Sequence, residues 1–159
     1  MRKSDKKIRI LICNKYTLFR EGIKSVVQKG GSMEVVGEAN TAHEAIEQLS
    51  RLKPDAVLMD LTTPDLSGFE ATRRIKTIDP DVKIIILSLH DDEILASLCL
   101  EAGADGCIQR DKPAWYLQGA IQAACRVGKN SRAATAVALP PASEVRAAAP
   151  SRLRGLTAP

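Results

Sequence analysis

Between residues 8 and 128, short aliphatic runs alternate five times with stretches of helical periodicity, and few folds accommodate that alternation. The runs predict strands over 8–13, 34–38, 56–60, 83–88 and 106–109, and the periodic stretches predict helices over 17–29, 41–52, 68–78, 91–102 and 113–127. A run such as Ala56-Val57-Leu58-Met59 has no polar alternation, which suits a strand covered on both faces. Short loops between the pairs, with right-handed crossovers, then predict an α/β fold: a doubly wound, five-stranded parallel sheet with helices on both faces. Ile84-Ile85-Ile86-Leu87 is the most apolar run and is expected near the sheet centre.

Local chemistry supports the helix boundaries. Leu18, Ile23, Val26 and Val27 cluster on one face of the first helix, and Gly30-Gly31 ends it. Thr41 with Glu44 three residues on forms a capping box, followed by the stripe Ala45, Ile46, Leu49 and Leu52. Pro113 fits the first turn of the last helix, whose inward face is expected to be Leu117, Ala120, Ile121, Ala124 and Val127.

Composition narrows the function classes. A chain of 159 residues holds one ordinary domain, and aromatics make up only 3%, so its core must be aliphatic. The net charge of +4 is uneven. Residues 1–128 carry 18 basic and 18 acidic side chains, so nucleic-acid binding by that part gets no support from charge. Residues 129–159 are basic, rich in Ala and Pro and without apolar period, and read as a flexible linker or tail. Cys13, Cys99, Cys107 and Cys125 show no C-x-x-C spacing, which argues against zinc or a disulfide framework and fits a reducing compartment. No apolar run approaches the ~20 residues of a membrane span. The basic segment 1–7 leads into too short and charged a stretch for a signal peptide, so a cytoplasmic protein with no membrane partner is expected.

Asp60 is the leading site candidate. It ends an apolar strand and enters Leu61-Thr62-Thr63-Pro64, and open parallel sheets keep their chemistry at such strand ends. The competing reading is a solvated Asp that caps the loop. His43 and His90 lack partners at metal-ligand spacing, and Asp91-Asp92-Glu93 reads as a helix N-terminus favoured by the dipole. Trp115 and Tyr116 either mark a dimer or partner surface or pack over the sheet edge.

Several segments, in order and at matching spacing, carry a family resemblance. They are Thr17-Leu18-Phe19-Arg20-Glu21-Gly22, Val35-Val36-Gly37-Glu38-Ala39, Val57-Leu58-Met59-Asp60-Leu61, the loop from Pro64 to Ala71, and Leu100-Glu101-Ala102-Gly103-Ala104. Residues 8–128 resemble a response-regulator receiver domain (CheY-like) of the NarL/FixJ type, which carries a LuxR-type helix-turn-helix. The resemblance implies a flavodoxin-like (βα)5 fold, Asp60 as phosphoacceptor, a histidine kinase as partner, and DNA contact only through an output domain. Gly155-Leu156-Thr157-Ala158 resembles the opening of that output domain. Either a longer regulator is interrupted at its linker, or this is a stand-alone receiver with a vestigial tail.

Receivers hold a divalent cation with two acidic residues after the first strand, and here those positions are Asn14 and Lys15. At ~4 Å and an effective dielectric near 20, each unit charge pair is worth roughly 4 kcal/mol, so Lys15 turns attraction for a dication into repulsion. Magnesium is expected to be lost or held very weakly, with no other metal or cofactor. Lys15 either pairs with Asp60 or swings out to water. Ser88 matches the switch hydroxyl, Cys107 stands where receivers usually carry an aromatic, and Arg110 stands where they carry Lys. Arg110 keeps the charge in guanidinium geometry, available to phosphate or to Asp60. Cys107 reads as a small buried hydrophobe rather than a redox centre.

Two readings of function follow. One is an atypical receiver of a two-component-type transcriptional regulator, with metal-dependent phosphorylation at Asp60 impaired. The other is a phosphorylation-independent pseudo-receiver that works in dimerisation or protein interaction, through the last helix. An enzyme is not expected, because no nucleophile–base pair or glycine-rich phosphate loop is present.

Overall fold

The structure is a computed structural model and describes residues 6–89 and 93–126. Its elements alternate as β1 (Ile8–Cys13), α1 (Thr17–Gln28), β2 (Met33–Ala39), α2 (Ala42–Leu52), β3 (Ala56–Asp60), α3 (Gly68–Ile78), β4 (Lys83–Ser88), α4 (Glu93–Ala102), β5 (Gly106–Gln109) and α5 (Ala114–Arg126). The strands pair in parallel in the order β2-β1-β3-β4-β5. This is the flavodoxin-like, doubly wound sheet. β3 is central with β4 beside it, and every residue of both is buried, which is why their sequences show no polar alternation.

Side chains on a strand point to alternate faces, so each apolar run supplies two cores. Leu11, Cys13, Val57, Met59, Ile84 and Ile86 face α2, α3 and α4. Ile10, Ile12, Ala56, Leu58, Ile85 and Leu87 face α1 and α5. The helix ends follow the expected chemistry. Gly30 and Gly31 adopt φ of 96° and 78°, values L side chains rarely take. The Glu44 N–H donates to Thr41 Oγ1 at 3.1 Å, while Glu44 Oε2 accepts from the Asn40 N–H at 3.0 Å.

Three expectations change. Leu18 is 83% exposed, and α1 buries Arg20 with Ile23 and Val27 instead. Arg20 tolerates an inward position because its guanidinium donates to the Asn14 carbonyl, Thr17 Oγ1 and Glu38 Oε1. The aromatic pair divides, with Trp115 45% exposed and Tyr116 8%. α5 begins one residue after Pro113, whose carbonyl accepts from the Tyr116 N–H at 3.0 Å. Val127, His90, Asp91, Asp92, the start of the basic N-terminal segment and the whole of 129–159 lie outside the described residues. Among the described residues, no helix is long and apolar enough to cross a membrane.

Candidate functional site

β1 and β3 are neighbours, yet the helices that follow them pack on opposite faces, α1 on one and α3 on the other. That reversal opens a crevice at the carboxyl ends of the two strands. Asn14, just past β1, and Asp60, the last residue of β3, occupy it, and each is only 1% exposed. Ser88 ends β4 and is also buried. Its carbonyl accepts the Arg110 N–H at 2.8 Å, which places Arg110, just past β5, at the same edge. The structure therefore gathers Asn14, Asp60, Ser88 and Arg110. Cys107 lies within β5, half-buried against the core shared with α2, α3 and α4. Its thiol contact, together with burial, pushes the neighbouring Cys99 thiol far up, which fits packing rather than reactivity at neutral pH.

Arg110 Nη2 forms an ion pair with Asp60 Oδ1. The guanidinium also lies 5.1 Å from the centre of the Phe19 ring, a cation–π distance. The pair is single-pronged: among the described residues, Asp60 Oδ2 and Arg110 Nε are buried with no hydrogen-bond partner. Asn14 Oδ1 accepts the Tyr16 N–H at 2.7 Å, while its Nδ2 is buried without a partner. Lys15 is exposed, its Nζ 5.0 Å from the centre of the Tyr16 ring. The charge facing Asp60 is thus Arg110, which replaces the alternative of a Lys15–Asp60 pair. Asn14 takes the inward position after β1, which sends the next residue outward.

Electrostatics at the crevice are set by burial. Desolvation pushes the Asp60 carboxyl above its ordinary range, and the Arg110 charge with the Thr62 and Leu61 N–H groups opposes the shift without cancelling it. Burial, then the negative field of Asp65 and Asp60, pushes the Cys13 thiol up to about 12.

Asp65, in the loop after β3, fastens that loop to its neighbour. Its carboxylate accepts the Ala42 and His43 N–H groups at 3.0 and 2.9 Å and pairs with His43 Nδ1. Thr63 Oγ1 donates to it at 3.2 Å. Burial raises the Asp65 carboxyl, but the bonds from His43 and Ala42 outweigh it and hold the group well below the usual carboxylate range. The loop after β3 is thereby fastened to the start of α2. No local sequence signal marks this, because the partners are 22 residues away or more. His43 stays at the surface, its side chain 59% exposed, with its ring serving the clamp.

Comparison with known proteins agrees with this geometry. Residues 10–122 match the response regulator receiver domain family. The chain is 35% identical over 125 residues to the transcriptional regulatory protein DegU of Brevibacillus brevis, covering 79% of this chain and 53% of that protein. It is 38% identical over 96 residues to the chemotaxis protein CheY of Thermotoga maritima, covering 60% and 79%. A two-component response regulator of the LuxR family from Aurantimonas sp. superposes with a TM-score of 0.73 at 30% identity, covering 89% of this chain and 99% of that one. The chain spans about half the length of the first curated regulators it matches. With its sheet order, its buried strand-end aspartate and these matches, the chain belongs to the response regulator receiver domain family.

Proposed function

We propose that this chain is an atypical receiver domain of a two-component-type transcriptional regulator, in which Arg110 rather than a bound metal ion neutralises Asp60. The ion pair between Arg110 and Asp60, at the position matching the phosphoacceptor, carries this reading. Phosphoryl transfer to Asp60 forms an Oδ–P bond as the donor's P–N or P–O bond breaks, and charge on the phosphoryl oxygens must be neutralised. Receivers generally use magnesium, which demands near-octahedral oxygen ligands. The groups of the crevice do not fit that ion: the unpaired atom of Asn14 is an NH2 donor, its oxygen is engaged by Tyr16, and Arg110 brings a positive charge to Asp60. Metal-dependent phosphorylation is therefore impaired. Ser88 and Arg110 bind the phosphoryl group in this reading, and Cys107 offers no aromatic ring to swing. In this reading a histidine kinase is the phosphodonor, signalling is cytoplasmic, and DNA contact belongs to an output domain, since 1–128 is charge-balanced.

A second reading, a phosphorylation-independent interaction module, is favoured by exposed Trp115 on α5 and Leu18 on α1. These helices are joined where Gln118 Nε2 donates to the Val26 carbonyl at 2.7 Å, so together they offer a face for self-association or a partner protein. Incubation with acetyl phosphate and magnesium, followed by intact-mass measurement, tests the main reading. The wild type is expected to stay unlabelled while a conventional receiver gains one phosphoryl group. Full labelling of the wild type that disappears in Asp60→Asn would overturn it.

A further inference from the structure

Beside the Asp60 crevice, a pocket of about 290 Å³ opens between α1 and α5. Phe19, Ile23, Ile108 and Leu117 supply apolar walls, and among the described residues that line it Arg110 and Lys112 are charged and none is acidic. Arg110 belongs both to this pocket and to the pair with Asp60, and its Nε is buried without a partner among the described residues. A buried guanidinium N–H left unpaired is unusual, because such donors normally find an acceptor. Gly22 also lines the pocket, in the interior of α1, where a Cβ would meet nothing within 4 Å. Glycine there disfavours the helix, and no neighbouring atom requires it. An apolar cleft with a few convergent polar groups is the usual form of a small-molecule site.

We infer that this pocket binds a small amphipathic carboxylate, with its aliphatic or aryl body between α1 and α5 and its carboxylate on the Arg110 guanidinium and Lys112. The charge of the lining selects an anion, and the volume selects a ligand at the small end of the range for such sites. Because Arg110 also holds Asp60, the ligand acts on the receiver's central charge pair from outside the phosphorylation crevice. Binding does not depend on whether Asp60 accepts a phosphoryl group, so it is measured on the unmodified protein.

Titration with sodium octanoate and sodium 4-phenylbutyrate, followed by amide NMR shifts, tests the inference. At least one carboxylate binds saturably, with the largest shifts at Phe19, Gly22, Ile108 and Leu117. The alcohol 1-octanol binds about tenfold or more weakly, as expected for loss of a charge-assisted hydrogen bond. Arg110→Gln lowers octanoate binding to the level of the alcohol. Gly22→Leu fills the space and removes binding of both, while the folded spectrum and unfolding transition persist. The inference fails if neither carboxylate saturates, if octanol binds as well as octanoate, or if the shifts centre elsewhere. Concentration-dependent shifts at the same amides without ligand would seat a second copy there instead, and also overturn it.

Discussion

Two buried acid–base pairs sit at opposite edges of one sheet, and only one of them is complete. At the amino edge, Asp105 Oδ2 accepts both Lys76 Nζ and the Ile84 N–H at 2.8 Å, and Lys76 Nζ also donates to the Val82 carbonyl at 2.7 Å. Among the described residues, neither partner has a buried polar atom left over. At the carboxyl edge, Asp60 and Arg110 meet through one oxygen and one nitrogen, and three polar atoms around them are buried unpaired. A buried pair holds a fold well when its remaining protons and lone pairs are also satisfied. The first pair therefore fastens α3 to β4 and to the entry of β5. The second leaves binding capacity unused at the edge where parallel sheets keep their chemistry.

Removing one partner of the complete pair gives the largest effect. Asp105→Ala removes the countercharge of the Lys76 ammonium and strands the Ile84 N–H, and urea unfolding should show a loss of about 3 kcal/mol. At the carboxyl edge the sign reverses. The raised Asp60 pKa means that the folded state holds its proton more tightly than the unfolded chain. Ionisation of Asp60 thus opposes folding above the ordinary carboxylate range, and that cost fades as pH falls below it. Asp60→Asn should raise stability at neutral pH by less than Asp105→Ala lowers it, and the gain should vanish in acid. A variant less stable than wild type at neutral pH would show that the Arg110 pair outweighs burial.

Asp65 gives a smaller effect of opposite pH sign. Its carboxyl is held low by the His43 and Ala42 bonds, so its contribution is present above the ordinary range and lost as pH falls through it. Asp65→Asn should cost about 1 kcal/mol at neutral pH, as for loss of a capping carboxylate, and nothing at low pH. Thermal unfolding of the two Asp variants across pH separates the sites.

The same contrast explains what was legible in the chain. Strands buried on both faces announce themselves as unbroken aliphatic runs, so β3 and β4 could be read to the residue. Capping chemistry is equally local, as at Thr41 and Gly30-Gly31. Leu18 shows the limit of helical periodicity: the pattern marks a face, but α1 buries Arg20 because polar partners from the β1 end and β2 satisfy it. The residue positions of the crevice follow from strand ends, and Asn14, Asp60, Ser88 and Arg110 meet there. Which cation reaches Asp60 depends on which way a side chain leaves the strand end, and that separates Lys15 from Arg110. Asp65 and Asp105 find their partners 22 and 29 residues away, beyond any local signal.

In the proposed receiver, Arg110 takes the electrostatic place of a metal ion at Asp60. Magnesium titration of the unmodified protein, followed by the amide shifts of Asn14, Asp60 and Leu61, tests it most directly. No saturable response is expected in the wild type, and a saturable one once Asn14→Asp, Lys15→Asp and Arg110→Lys are combined. Saturable magnesium binding at Asp60 in the wild type would contradict it.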